Sequence, residues 1–249
     1  MQAQIKTPDY RLKAWEGDSA AMVELGEAFQ FGRGVEKHED SADIYINKAA
    51  DLGHPEAMYL IGTKCLIEVF SPTQYAKGLS FLRKAAAKGH AESQFRLTKV
   101  YSTRGKKNQT DNYYNLKKAY QYSDSAAVQG HKQALLYCAE ARLKGSGTPQ
   151  NDSIAVAYFK QSSDKGFIPG IIRMGNMYWE GKVTGKIEPQ LALAEYRRVF
   201  SLGYANIDQK GRADIGIHQI DQFYKQIQNT YLDGNPAMPA GLFNYRLQE

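Results

Sequence analysis

Six glycines recur along the chain at a nearly fixed interval: Gly17, Gly53, Gly89, Gly130, Gly166 and Gly203, separated by 36, 36, 41, 36 and 37 residues. No other feature constrains folding as much. A period of this length marks a small supersecondary unit that cannot bury its own apolar face and does so against its neighbours. The contexts repeat with the spacing: Leu52-Gly53-His54, Lys88-Gly89-His90, Gln129-Gly130-His131, Lys165-Gly166-Phe167 and Leu202-Gly203-Tyr204. Small residues precede the glycine (Ala49-Ala50, Ala85-Ala86, Ala126-Ala127, Ser162-Ser163), and an aromatic lies further upstream (Tyr45, Phe81, Tyr122, Tyr158). Glycine just past a last helical turn adopts the left-handed conformation without a Cβ penalty, so each of the six is expected to stop a helix in this way.

A second helix is expected about four residues after each stop. Counted from its first small residue, apolar groups recur at offsets four and eight, as in Ala21, Leu25 and Phe29, in Ala57, Ile61 and Cys65, in Ser93, Leu97 and Tyr101, and in Gly170, Met174 and Tyr178. That spacing places them on one helical face. Gly26, Gly62 and Gly175 follow offset four directly, with Ala139 in the fourth unit, and a small residue there admits a neighbouring helix closely. Glycine-bearing turns close the second helix at Gly32-Arg33-Gly34-Val35, Gly145-Ser146-Gly147 and Gly181.

These motifs resemble the Sel1-like repeat family, within the tetratricopeptide-like superfamily. The stretch Ala21 to Gly53 is similar to the family pattern almost throughout, and the resemblance runs over roughly Gly17 to Gly203. Glu68 and Arg104 depart from it where the turn glycine falls, and about five extra residues enter around Lys106 to Asn115. The resemblance implies an all-α fold, an α-solenoid (a right-handed superhelix) of about five helix-turn-helix repeats with capping helices at both ends. The expected boundaries are 1–17 for an N-terminal half-repeat, 18–204 for the repeats (18–53, 54–89, 90–130, 131–166, 167–203) and 205–249 for a C-terminal helix and docked tail. Pro8 to Glu16 reads as the second half of an incomplete unit. The stripe Ala213, Ile217, Ile220, Tyr224, Ile227 and Tyr231 reads as the C-terminal cap, and Asp233 to Glu249 is expected to dock on the array.

No stretch is long and apolar enough to span a bilayer, and Met1 to Glu16 lacks the apolar run of a signal peptide. Compartment is left open between cytoplasm and, if a signal peptide has been removed, a bacterial periplasm. Cys65 and Cys138 fall two units apart and are expected as buried thiols beyond disulfide reach. The net charge of +6 is uneven: residues 1–60 carry 6 basic and 11 acidic groups, whereas residues 61–118 carry 12 basic and 3 acidic groups, a swing from −5 to +9. Such asymmetry steers an oppositely patterned partner or simply solvates helix faces.

Catalytic signatures are missing. No phosphate-cradling loop, nucleophile elbow or paired-carboxylate motif is present, so no catalytic residue and no cofactor are assigned, and the chain is expected not to be an enzyme. His54, His90 and His131 each follow a repeat glycine. Equivalent positions in stacked units lie apart, so the three are expected to be structural and no metal is assigned. A sequence pI near 9.1 points towards nucleic acid. The acidic first unit and the absence of an RNA- or DNA-binding motif point away from it.

In tetratricopeptide-like arrays the first helix of each unit lines the concave face, and that analogy selects the candidate contacts. At offset two stand Val23, Tyr59, Phe95, Leu136 and Ile172, at offset six Glu27, Lys99, Glu140 and Asn176 with Thr63, and at offset nine Gln30, Leu66, Leu143 and Trp179 with Ser102. Offset two is apolar in every unit. It forms either a partner-binding ladder, with Tyr59, Phe95 and Trp179 as anchors, or packing against the neighbouring unit. The resemblance implies a non-catalytic protein-interaction module, in its most specific form an immunity protein that neutralises a bacterial toxin such as a lipase-type effector of type VI secretion. Its alternatives are a scaffold or adaptor in signalling, secretion or envelope assembly, and a hydrolase.

Overall fold

The computed structural model describes residues 10–67, 71–103 and 115–232, and all regular structure among them is helical. The chain divides into two compact units, Met1–Asn151 and Asp152–Glu249. The first holds α1 (Tyr10–Trp15), α2 (Ser19–Phe31), α3 (Glu39–Asp51), α4 (Pro55–Ile67), α5 (Pro72–Ala87), α6 (Ala91–Ser102), α7 (Leu116–Val128) and α8 (Lys132–Lys144). The second holds α9 (Asp152–Asp164), α10 (Ile168–Trp179), α11 (Pro189–Ser201) and α12 (Ile207–Leu232). The division falls between the two helices expected to make up the fourth repeat.

Within each unit every helix packs on the next in the chain, and in the second unit α12 reaches back to α10 as well. The joints explain this order. Gly17, Gly53, Gly89, Gly130 and Gly166 all have positive φ, between 71° and 102°. A left-handed residue reverses the chain in one step and lets the next helix start at once. Gly203 differs from the expectation. It is not among the positive-φ glycines, and α11 instead closes through Leu202 in an extended conformation, φ −87° and ψ 108°. The last periodic glycine therefore marks where the repeat gives way to the long α12.

Helix starts are capped by side chains that accept backbone N–H groups left over in a first turn. Asp18 caps α2 at 2.8 Å from the Ala20 amide, Ser71 caps α5 and Asn115 caps α7. Small residues set the spacing between helices. A Cβ on Gly62 would stand 2.8 Å from Leu82 Cγ, and one on Gly175 would stand 2.6 Å from the Tyr196 ring, so each glycine admits a large side chain that fills the space between two helices. Ala49, Ala57, Ala85, Ala126 and Ala134, all at or next to the expected small positions, are buried.

On α12, Ala213 and Ile220 are buried, as the stripe predicts. The side chains of Tyr224, Ile227 and Tyr231, the tail Asp233 to Glu249, Glu68, Arg104, the inserted residues up to 114 and the start of the half-repeat at Pro8 lie outside the described residues. Both cysteines are free thiols. Cys138 is buried, but Cys65 is only partly covered, because it sits in the last turn of α4. No helix among the described residues is long and apolar enough to cross a membrane.

Candidate functional site

The candidate contacts in the first unit lie on α2, α4, α6 and α8. Offset zero is their inward edge: Ala21, Ala57, Ser93 and Ala134 are all buried. At offset two the residues part company. Val23 and Phe95 are buried at 6% exposure each, while Tyr59 and Leu136 are half-buried.

The two aromatic members at offset two have specific partners. The Tyr59 ring lies 5.0 Å from the ring of His90, and the Phe95 ring lies 4.7 Å from that of His131. Each aromatic thus covers the histidine that opens the first helix of the following pair. Of the two readings left open for this position, these contacts are those of packing between neighbouring pairs. Burial, with Glu92 nearby, raises the Tyr59 hydroxyl above its ordinary value, so it stays protonated at neutral pH.

His90 and His131 act as caps. His90 Nδ1 accepts the Ser93 amide at 3.2 Å and lies 2.8 Å from Ser93 Oγ. Its Nε2 lies 2.8 Å from Glu56 Oε2 on α4. His131 repeats the arrangement one pair later, with Nδ1 accepting the Ala134 amide at 3.2 Å and Nε2 2.8 Å from Glu92 Oε2 on α6. An Nδ1 that accepts leaves the proton on Nε2, where it is donated to the carboxylate. Each clasp therefore joins a helix cap, a charge-assisted hydrogen bond and a ring contact on one imidazole. Glu56 is held below its ordinary carboxylate value chiefly by its hydrogen bond to His90.

The sequence does carry this signal, as His54-x-Glu56 and His90-x-Glu92, each glutamate reaching the next unit's histidine. Composition alone does not reveal it. At the first joint the equivalent of Glu56 is Ala20, and His54 Nδ1 is buried with no hydrogen-bond partner among the described residues.

Offsets six and nine are more open. Glu27 is half-buried and pairs with Arg33 at 2.8 Å. Exposed Lys99 has its ammonium 4.8 Å above the Phe95 ring, and half-buried Glu140 lies 3.2 Å from Lys144. Gln30 is exposed, while Leu66 and Leu143 are half-buried. The first unit thus presents a mixed row of carboxylates, an ammonium and aliphatic groups on successive first helices.

In the second unit Ile172 is buried, Asn176 accepts the Tyr196 hydroxyl at 2.7 Å, and Trp179 meets Phe223 edge-on with ring centres 5.4 Å apart. These three side chains are engaged within their own unit. No group of three or more histidine, cysteine or acidic residues able to hold a metal occurs among the described residues. Burial pushes the Cys138 thiol up to about 12, which leaves it unreactive at neutral pH.

Helix pairs joined by left-handed glycines, with glycine and alanine at their contacts, define an all-α helical-repeat protein of the α-solenoid class. The model for Sel1 repeats matches residues 132–167 and 168–196, and a model for plant tetratricopeptide repeats matches residues 30–129. The chain thus carries Sel1 repeats over residues 132–196 and tetratricopeptide-type repeats over residues 30–129, and such repeats are protein-interaction modules.

Among solved structures it is similar to a Sel1 repeat protein from Oxalobacter formigenes, with a TM-score of 0.61 and 23% identity over 76% of this chain and 73% of the other. An immunity protein from Pseudomonas aeruginosa matches with a TM-score of 0.46 and 19% identity over 86% of this chain and 72% of the other. A protective antigen of uropathogenic Escherichia coli with the same repeat fold matches with a TM-score of 0.45 and 19% identity over 93% of this chain and 59% of the other.

Proposed function

We propose that this protein is a non-catalytic inhibitor that binds one partner protein across the first helices of its repeats, in its most specific form an immunity protein against a bacterial toxin such as a lipase-type effector of type VI secretion. The observation that carries the reading is the row formed by Glu27, Lys99, Glu140, Gln30, Leu66 and Leu143. These residues recur at two equivalent positions on successive first helices, and all remain at least partly exposed. Equivalent positions on stacked units repeat at a regular spacing, so they engage an extended surface better than a small molecule.

Charge supports the same reading. The swing from −5 over residues 1–60 to +9 over residues 61–118 favours fast capture of a partner with the opposite pattern. Tyr59 and Phe95 are better viewed as supports of this face than as its anchors, since each is occupied by a ring partner, and Trp179 is likewise occupied by Phe223 within the second unit.

The reading expects a toxin gene beside its own, and co-expression of the two should restore growth. The combined reversal Glu27→Lys, Lys99→Glu and Glu140→Lys should abolish the rescue and weaken binding by more than about tenfold, with the helical circular-dichroism spectrum retained. Undiminished binding by the folded triple variant sinks this choice of face. Failure of the wild-type chain to rescue sinks the immunity reading.

A further inference from the structure

Lys99 is the one cation of the basic middle that joins the row described above, and two others, Arg83 and Lys118, line a separate pocket. Arg83 from α5, Tyr101 from α6, and Lys118, Gln121, Tyr122 and Ser125 from α7 line a cavity of about 430 Å³ in the first unit. Among the described residues, two cations enter this lining and no acid does.

The Tyr101 hydroxyl accepts from both Arg83 Nε at 3.2 Å and Arg83 Nη2 at 3.0 Å. Tyr101 itself is 4% exposed and its ring is stacked on that of Tyr122, 5.6 Å between centres. The guanidinium is therefore held by a rigid, neutral partner. That contact orients Arg83 without neutralising it, and Nη1 has no acceptor among the described residues.

Lys118 places its ammonium 5.7 Å from the Tyr101 ring centre. Neither Arg83 nor Lys118 has an ion-pair partner among the described residues. The acid on α7, Asp124, is engaged elsewhere, with the Tyr120 hydroxyl at 3.5 Å. Two like charges brought to one cavity by folding, with no counter-charge among the described residues, are the electrostatic condition for an anion site.

We propose that this pocket binds the carboxylate of an acidic peptide segment of the partner protein, with Arg83 as its fixed donor and Lys118 as the second cation. The inference rests on the partner being a protein, and it adds a second contact region to the row on the first helices. A planar carboxylate matches the free edge of a guanidinium. The cavity is larger than a single oxyanion, which leaves room for the peptide around it. The Gln121 amide has no hydrogen-bond partner among the described residues and can meet a peptide group, and the half-buried Tyr122 ring can cover side-chain methylenes.

The test is direct titration of the full chain at low salt with a blocked oligoglutamate peptide, a blocked oligoglutamine peptide and inorganic phosphate, read by calorimetry and by NMR shifts of the α7 amides. Oligoglutamate should bind and move Lys118, Gln121 and Tyr122, and oligoglutamine should not. The pair Arg83→Gln and Lys118→Gln should weaken binding about tenfold, the equivalent of roughly 1.4 kcal/mol. The pair Lys160→Gln and Lys165→Gln, equal in charge but in the second unit, should leave binding unchanged.

Because Arg83 also holds Tyr101, Lys118→Gln alone is measured as well. It leaves that hydrogen bond intact and should still weaken binding severalfold. Equal loss in both double variants, tighter binding of phosphate than of oligoglutamate, or no binding of oligoglutamate overturns the proposal. None of these outcomes depends on toxin rescue, so the pocket and the immunity reading fail separately.

Discussion

The joint at His131 and the joint at Phe167 have the same backbone and opposite chemistry. His131 opens α8 with φ −66° and ψ 108°, and Phe167 opens α10 with φ −76° and ψ 107°. Both follow a left-handed glycine, Gly130 or Gly166. At His131 the turn is closed by a polar clasp that joins the cap to Glu92 and the Phe95 ring. At Phe167 no side chain caps the helix. Pro169 removes one N–H that would need an acceptor, and Ile168 and Ile171 are buried in the core.

The second unit fastens its helices elsewhere. Arg198 donates to Ser163 Oγ at 2.9 Å and to the Ser163 carbonyl at 3.1 Å, while Ser163 donates to Glu195 at 2.8 Å, which ties α9 to α11. The comparison teaches that glycine and the small residues around it set the geometry of a joint. What closes the joint is a separate choice between a titratable clasp and apolar burial.

Overpacking gives the largest expected contrast between the units. Gly62 faces Leu82 and, 3.0 Å from where its Cβ would stand, the Gly78 carbonyl oxygen, whereas Gly175 meets the Tyr196 ring at 2.6 Å, a ring whose hydroxyl is bonded to Asn176 and which also lies 2.4 Å from where a Cβ on Gly216 would stand. Gly175→Val should therefore cost about 3 kcal/mol and Gly62→Val about 2 kcal/mol in urea unfolding. Equal costs would mean that Tyr196 has room to move.

Next comes the clasp. His131→Ala removes the cap, the carboxylate contact and the ring contact, and should cost about 2 kcal/mol. His131→Asn restores only the cap and should recover about half. If asparagine recovers everything, the Glu92 and Phe95 contacts contribute nothing, and the two joints differ less than they look.

The smallest effect is the pH dependence of the His90 clasp. Glu56 has its folded value below the ordinary 4.5, so its contribution is fully present above that value and is lost as pH falls through the depressed one. Its side chain is 37% exposed, so solvent screening limits the contribution to no more than about 0.5 kcal/mol. Glu56→Gln should flatten the acid limb of hydrogen-exchange protection in α6. An unchanged limb assigns the acid sensitivity to other groups.

Much of this was legible in the sequence because its causes are local. A glycine that must reverse the chain, an alanine that must let a helix approach and a turn that must break a helix are each decided within a few residues. Five of the six periodic glycines are left-handed, and the helices begin and end around them. Gly203 misled because its spacing continues the period while the chain there leaves the repeat. His90 and His131 were legible as structural from their place after the glycine. Their partners were harder to see, since Glu56 to His90 spans 34 residues. The offset-two aromatics were ambiguous for a similar reason. Apolar character is needed both to bind a partner and to cover the next pair, and composition does not distinguish the two.

The amino-acid sequence by itself determined that this chain forms repeated helix pairs, where they turn and which residues let them approach, because each of those choices is made by a residue's own backbone freedom and size. Only the tertiary structure decided that Phe95 lies on His131, that Glu56 and Glu92 reach the following histidines, and that Arg83 and Lys118 share a pocket. Those pairings depend on the distance between side chains from different helices, and that distance exists only once the helices have packed.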